Sequence, residues 1–176
     1  MPTETVYGLA ADASDPAAVA RVFAVKGRPT GHPLIVHAAS TDMLAGWVAD
    51  PSPAFTELAA TCWPGPLTML VQRGPRVPDE VTGGRPTVGV RVPAHPVAAA
   101  LLDAFGRPVA APSANLFGQV SPTTAEHVLA DLGHLLDPAL DCVLDGGRAA
   151  VGVESTIVDL TVEPPQGLRA GAIDAA

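Results

Sequence analysis

Short apolar runs bounded by Pro and Gly alternate along this chain with stretches whose apolar positions recur at helical spacing. Asp15-Pro16 reads as an N-cap followed by proline in the first turn. Val19, Val22 and Phe23 then form an apolar stripe, and Gly27 ends it. Pro33 to Ala38 reads as a buried strand, followed by helical stretches from Thr41 to Ala49 and from Pro53 to Cys62. Trp63-Pro64-Gly65-Pro66 breaks the chain before a strand from Leu67 to Gln72, and the polar, Gly- and Pro-rich segment from Arg73 to Pro86 reads as a surface loop. Thr87 to Val92 alternates, with Thr87, Gly89 and Arg91 on one face and three valines on the other, so Arg91 points away from the valine side. A helix from Pro96 to Phe105, a strand from Pro108 to Ala111 and a turn-rich loop from Pro112 to Pro122 follow. Thr123-Thr124-Ala125-Glu126 has capping-box spacing and predicts a helix to Leu136. Strands are expected at Asp141 to Leu144 and Ser155 to Leu160, around the glycine-rich segment Asp145 to Gly152. Strands and helices alternate without repeats or a linker, which predicts a single α/β domain. The connections are too irregular for a plain doubly wound sheet, so a mixed parallel and antiparallel sheet with flanking helices is expected.

A length of 176 residues and 48% hydrophobic content fit one globular domain with a sizeable core. No apolar run is long enough to suggest a membrane span, and neither a basic nor a secretory apolar segment opens the chain. The expectation is a cytoplasmic protein without membrane association. Cys62 and Cys142 form no CxxC pair and fall in expected core elements, so they read as reduced, buried residues, and no metal site is expected. A net charge of −8 disfavours a long polyanion over most of the surface and leaves room for a basic cleft that takes a small anion.

Lys26 is the single lysine against nine arginines, and in Lys26-Gly27-Arg28-Pro29 it stands two positions from a guanidinium. Arginine offers a rigid fork for phosphate or carboxylate, whereas lysine is a compact charge on a flexible stem. The pair suits a charged substrate that reacts. The plainer reading, a solvated helix C-terminus complementing the macrodipole, has equal weight on this run alone. Three further stretches are hard to explain as packing: Pro2-Thr3-Glu4-Thr5-Val6-Tyr7-Gly8-Leu9, with the only tyrosine; Pro112-Ser113-Ala114-Asn115, after an apolar strand; and Glu154-Ser155-Thr156, after a glycine-rich turn.

Together, PTETVYGLAAD from Pro2, KGRPTGHPLIVH from Lys26, WPGPLTML from Trp63, VGVRVP from Val88, PSANLFGQVSPTT from Pro112, GVESTIVD from Gly152 and LRAGAI from Leu168 resemble the YrdC/TsaC family of threonylcarbamoyl-AMP synthases. The resemblance runs in order over nearly the whole chain. It implies a twisted sheet with a concave, positively charged face and a nucleotidyltransferase activity. L-threonine, bicarbonate and ATP would give threonylcarbamoyl-AMP and pyrophosphate, the first step toward N6-threonylcarbamoyladenosine at position 37 of tRNAs. The product would pass to a separate tRNA threonylcarbamoyl-transferase complex, leaving this chain at most a weak or transient RNA contact. The family's first strand and the C-terminal domain of longer relatives are expected to be absent from this YrdC-like domain spanning residues 1–176.

By the same resemblance, Thr5, Tyr7, His37, Arg91, the backbone of Ala111 and Ser155 belong to the threonine site. Arg28, His32, Thr87, Ser113, Asn115, Ser121 and Arg169 fall on the ATP side, with Lys26 and Arg28 at the reacting centre. The plainer readings are a cap for Thr5, a core imidazole for His37 and a strand-edge charge for Arg91. No Walker-type GxxxxGK occurs, so side chains and strand-end backbone must hold the phosphates. Mg2+ is expected to be carried by the nucleotide, since the motifs contain no carboxylate cluster. Three residues depart from the family pattern: His32 for Asn, Phe117 for a small polar residue, and Ala170 for Pro. Other readings remain open at this point: a carbamoyl-adenylate-forming module of hydrogenase maturation, a double-stranded RNA binder, and a hydrolase using Ser113 with His37, although no GxSxG elbow is present.

Overall fold

The computed structural model describes residues 1–173. Its strands are β1 (Ala11–Asp12), β2 (Ile35–His37), β3 (Leu67–Gln72), β4 (Thr87–Arg91), β5 (Val109–Ala110), β6 (Thr156–Asp159) and β7 (Gln166–Arg169). They form a 7-stranded sheet in the order β1-β5-β2-β4-β3-β6-β7. The pairs β2/β4 and β3/β6 are parallel and the other four are antiparallel, which gives the mixed sheet expected. The helices are α1 (Pro16–Lys26), α2 (Pro53–Cys62), α3 (Asp79–Thr82), α4 (Pro96–Phe105) and α5 (Ala125–Leu132).

The termini of α1 follow the expected chemistry. The Asp15 carboxylate accepts from the Ala17 N–H at 2.8 Å, and Gly27 closes the helix in the left-handed region at φ 59°. Val19, Val22 and Phe23 are buried against Val36, Met69, Val71, Val88 and Val90, so strand alternation places the valines of β4 on the helix side. On the opposite face stand His37 and Arg91, which are paired in register on β2 and β4. Thr68 joins them, because its neighbour Met69 pairs with Val90 on the helix side. Burying a polar sheet face needs partners. Arg91 finds them in Glu4, Thr5 and Gly65, and Thr68 in Ser155; the Pro2 to Gly8 segment is itself stitched to the loop after β5 by Tyr7 N–H to Pro122 O and Ala114 N–H to Tyr7 O, both 2.8 Å.

Several expected elements differ. Thr41 to Ala49 contains only a 3-10 turn at Asp42–Leu44, because Gly46 at φ 79° cannot continue a helix; Leu44 and Trp47 are nevertheless buried. Arg73 to Pro86 is more than a surface loop, since Val77 and Val81 enter the core around α3. The cap of α5 is Thr124, whose Oγ1 accepts from the His127 N–H at 3.2 Å, so the Thr123/Glu126 box is not realised. That helix ends at Leu132 and continues as a 3-10 turn to Leu135. Asp141 to Leu144 is not a strand, having no ladder partner among the described residues. Consequently Cys142 is exposed; Cys62, at the end of α2, is only half-buried, against the expectation of two core cysteines. The edge strands β1 and β7 were not foreseen; β7 is mostly exposed and carries no apolar alternation.

Candidate active site

The polar face centres on Arg91, which is 3% exposed. Its Nε–H donates to Gly65 O at 3.1 Å, Nη1 to Thr5 Oγ1 at 3.0 Å and Nη2 to Glu4 Oε1 at 2.6 Å. A guanidinium has five N–H donors, so with these three engaged two remain, one on each Nη. The other Glu4 oxygen accepts from the Ala94 N–H at 3.1 Å, which fixes the carboxylate and, through it, the fork. The hydroxyls can be assigned by elimination. Thr3 gives its single proton to Val6 O at 2.5 Å, so in the 2.9 Å Thr3–Thr5 contact Thr5 is the donor, and its oxygen accepts from Arg91.

Beside Arg91 on β2, His37 is 4% exposed and its Nδ1 lies 3.3 Å from Ile35 O. A carbonyl only accepts, so Nδ1 carries the proton and Nε2 keeps a free lone pair. Burial first, and the Arg91 charge second, push the imidazole down to about 3, so it is neutral at working pH.

Where β6 begins, Ser155 Oγ shares a 2.8 Å hydrogen bond with Thr68 Oγ1 and accepts from Arg169 Nη2 at 2.8 Å. Arg169 Nε–H also donates to Ser155 O at 2.9 Å. The turn at Gly171 makes this approach possible: a Cβ there would lie 2.4 Å from Glu154 O and 2.5 Å from Thr156 N. Glu154 accepts from Ser121 Oγ at 2.6 Å and lies 3.5 Å from Arg169 Nη2. Its charge partly offsets the burial that lowers the Arg28 and Arg169 pKa values.

Lys26 is 1% exposed, in the wall of the cleft. Its Nζ donates to the carbonyls of Ser113 and Asn115, with Asn115 Oδ1 3.4 Å away. All three ammonium donors thus have acceptors in the loop after β5. Burial, and then the neighbouring Arg28 charge, lower its pKa to about 8. Asn115 in turn donates to Leu116 O and Gln119 O at 2.9 and 2.6 Å, which closes the loop on itself. Arg28, by contrast, is half-exposed at the mouth.

Thr5, Arg28, His37, Arg91, Ala111, Ser113, Ser155 and Arg169, eight of the residues singled out in the sequence, line one cleft. Six other expected residues do not line it. Lys26 and Asn115 hold the loop, Ser121 bonds Glu154, and His32 is exposed beside Arg28. Thr87 pairs with Gln72 at the far end of β4. Tyr7 is fully buried, and its hydroxyl donates to Gly147 O at 2.6 Å, pinning the glycine-rich turn. Sequence reasoning passed over Glu4, Thr68 and Glu154. The signals were a carboxylate inside the Pro2 to Gly8 stretch, a hydroxyl inside an apolar strand, and a carboxylate next to Ser155. A roomier cleft between Met1, Leu101, Phe105 and Val143 is mostly apolar, and among its lining only Asp12, Asp141, Cys142 and the Met1 amino group could titrate. The convergence of donors belongs to the Arg91 cleft.

A twisted mixed sheet with a buried, donor-rich face defines the class of fold. The model of the Sua5/YciO/YrdC family, described as telomere recombination, matches residues 1–171, and the chain belongs to that family. It is 47% identical over 172 residues to the threonylcarbamoyl-AMP synthase of Pyrococcus abyssi and 43% identical over 173 residues to that of Bacillus subtilis. Each match covers 98% of this chain and 49% of the relative, so the chain spans about half the length of these curated relatives. A crystal structure of P. abyssi Sua5 complexed with L-threonine superposes with a TM-score of 0.92 at 48% identity, covering 97% of this chain and 49% of that one.

Proposed function

We propose that this chain is an L-threonylcarbamoyladenylate synthase, a nucleotidyltransferase that makes threonylcarbamoyl-AMP and pyrophosphate from L-threonine, bicarbonate and ATP. The observation that carries the reading is the Arg91 fork, with two free N–H donors beside the neutral His37, in a chain 48% identical to a protein whose structure holds L-threonine. The fork suits the amino acid's carboxylate. The free Nε2 of His37 suits its hydroxyl, and an imidazole with a pKa about 3 accepts a hydrogen bond rather than carrying protons.

The amine of threonine and bicarbonate give a carbamate with loss of water. A carbamate oxygen then attacks the α-phosphorus in line, and pyrophosphate leaves. No protein nucleophile is needed, so the rate comes from positioning and from cations matched to developing charge. Arg28, Arg169, Ser113 and Ser121 serve the phosphate side, with His32 at its margin, while Thr87 at the far end of β4 is left out. Lys26 acts from the wall, fixing the Ser113 and Asn115 carbonyls and placing a positive charge behind them. Among the described residues no three His, Cys, Asp or Glu side chains gather as a metal site would need, so Mg2+ is assigned to the incoming nucleotide. No helix among the described residues is long and apolar enough to cross a membrane. The reading includes a cytoplasmic location and hand-over of the product to a tRNA-modifying complex. A net charge of −8 weighs against the double-stranded RNA reading.

The test is incubation with labelled bicarbonate, L-threonine and ATP, with isolation of the adenylate. Arg28→Ala and Lys26→Ala are each expected to cut its formation by roughly 10²-fold. Near-normal exchange between ATP and pyrophosphate in both variants would refute the assignment.

A further inference from the structure

We propose that Phe117 is a positioning residue for the anion site: its ring, met by His32, holds the Arg28 guanidinium so that the free donors of Arg28 face the cleft. The proposal relies on the adenylate-forming reading only for the identity of the anion. Phe117 is 41% exposed, so burial gives little reason for a large ring there. Its backbone N–H donates to Lys26 O at 2.9 Å, which fastens the residue to the end of α1. From there the ring centroid lies 5.6 Å from Arg28 Cζ, within cation–π range, and 5.2 Å from the His32 ring at an interplanar angle of 88°. The edges of the guanidinium are held as well, Nε by His32 O at 3.4 Å and Nη2 by Pro33 O at 3.0 Å. Two of its five donors are thus used and three are left for a ligand. His32 and Phe117, two of the positions set apart in the sequence, are in contact with each other and with the cation between Lys26 and the cleft.

Because an attraction to the ring face requires a π system, aromatic and aliphatic replacements separate this role from simple apolar cover. Phe117→Leu and Phe117→Ala are expected to weaken ATP binding about two- to fivefold. Phe117→Tyr and Phe117→Trp should stay near the parent, and L-threonine affinity and melting temperature should hold in all four. Calorimetric titration with Mg-ATP reads the affinity. The side-chain Nε–H resonance of Arg28, assigned by its loss in Arg28→Lys, reads the brace without any ligand: it should move in Phe117→Leu and stay in Phe117→Tyr. Leucine binding ATP as tightly as phenylalanine, or tyrosine falling with leucine, overturns the brace, as does an Arg28 resonance indifferent to all four substitutions. If the parent protein binds no ATP, the reading of the anion fails, and the resonance alone decides the brace.

Discussion

The two ends of the cleft are built differently. At the end proposed to take threonine, Arg91, His37 and Ser155 sit on or beside strands, are 3%, 4% and 1% exposed, and find partners within the fold. At the end proposed to take the nucleotide, Arg28, His32, Ser121 and Arg169 sit on turns, loops or the edge strand β7 and are half-buried or exposed. Burying charge is tolerable only where geometry and hydrogen bonds are complete, which makes the first end rigid and pre-aimed. The second end is also anchored, Arg28 on the His32 and Pro33 carbonyls and Arg169 on Ser155, but it keeps its cations partly exposed. On the proposed reading a small zwitterion meets a closed socket and a long polyanion an open mouth.

The sharpest way to break this contrast is to cut one cation at each end. Arg91→Ala leaves the partly buried Glu4 carboxylate without its cation and the buried Thr5 hydroxyl and Gly65 carbonyl without their donor, and is expected to cost about 3 kcal/mol in urea unfolding. Arg28→Ala should change stability by under about 1 kcal/mol while weakening nucleotide binding. Equal losses of stability would erase the distinction. Gly171→Ala comes next. Its Cβ would strike the backbone of Glu154 and Thr156, so a loss of roughly 1 to 3 kcal/mol and weaker threonine binding are expected. Acidification gives a graded test. The folded His37 has its pKa lowered from 6.5 to about 3, so between these values the unfolded chain binds more protons. The contribution of His37 is therefore complete above pH 6.5 and fades as pH falls toward 3; His37→Gln should flatten that part of a melting curve against pH. Smallest of all, Ser121→Ala, at the more exposed end, should raise the ATP requirement a few-fold and leave threonine binding unchanged.

Much of this was legible in the sequence where local chemistry decides. The ends of α1 follow from Asp15, Pro16 and Gly27, and α2, α4 and β3 follow from apolar spacing between proline or glycine breaks. Alternation in β4 correctly sent Arg91 away from the valines. The sequence could not show that Arg91 is buried, because its cover, Glu4 and Thr5, lies 87 and 86 residues away. Lys26 reads as a free cation for the same reason: the carbonyls that occupy it belong to a loop 87 and 89 residues on. Asp141 to Leu144 carries a strand-like pattern, but a strand exists only with a neighbour to complete its ladder. Only the fold separated the residues that line the cleft from those that hold its walls.

The central claim is that the threonine socket exists before the nucleotide arrives. Calorimetric titration of L-threonine into the ATP-free protein tests it most directly, with Arg91→Ala as the companion. The account predicts saturable one-to-one binding to the parent protein and none to the variant. Binding that begins only once ATP is present, or that survives the loss of Arg91, would contradict it.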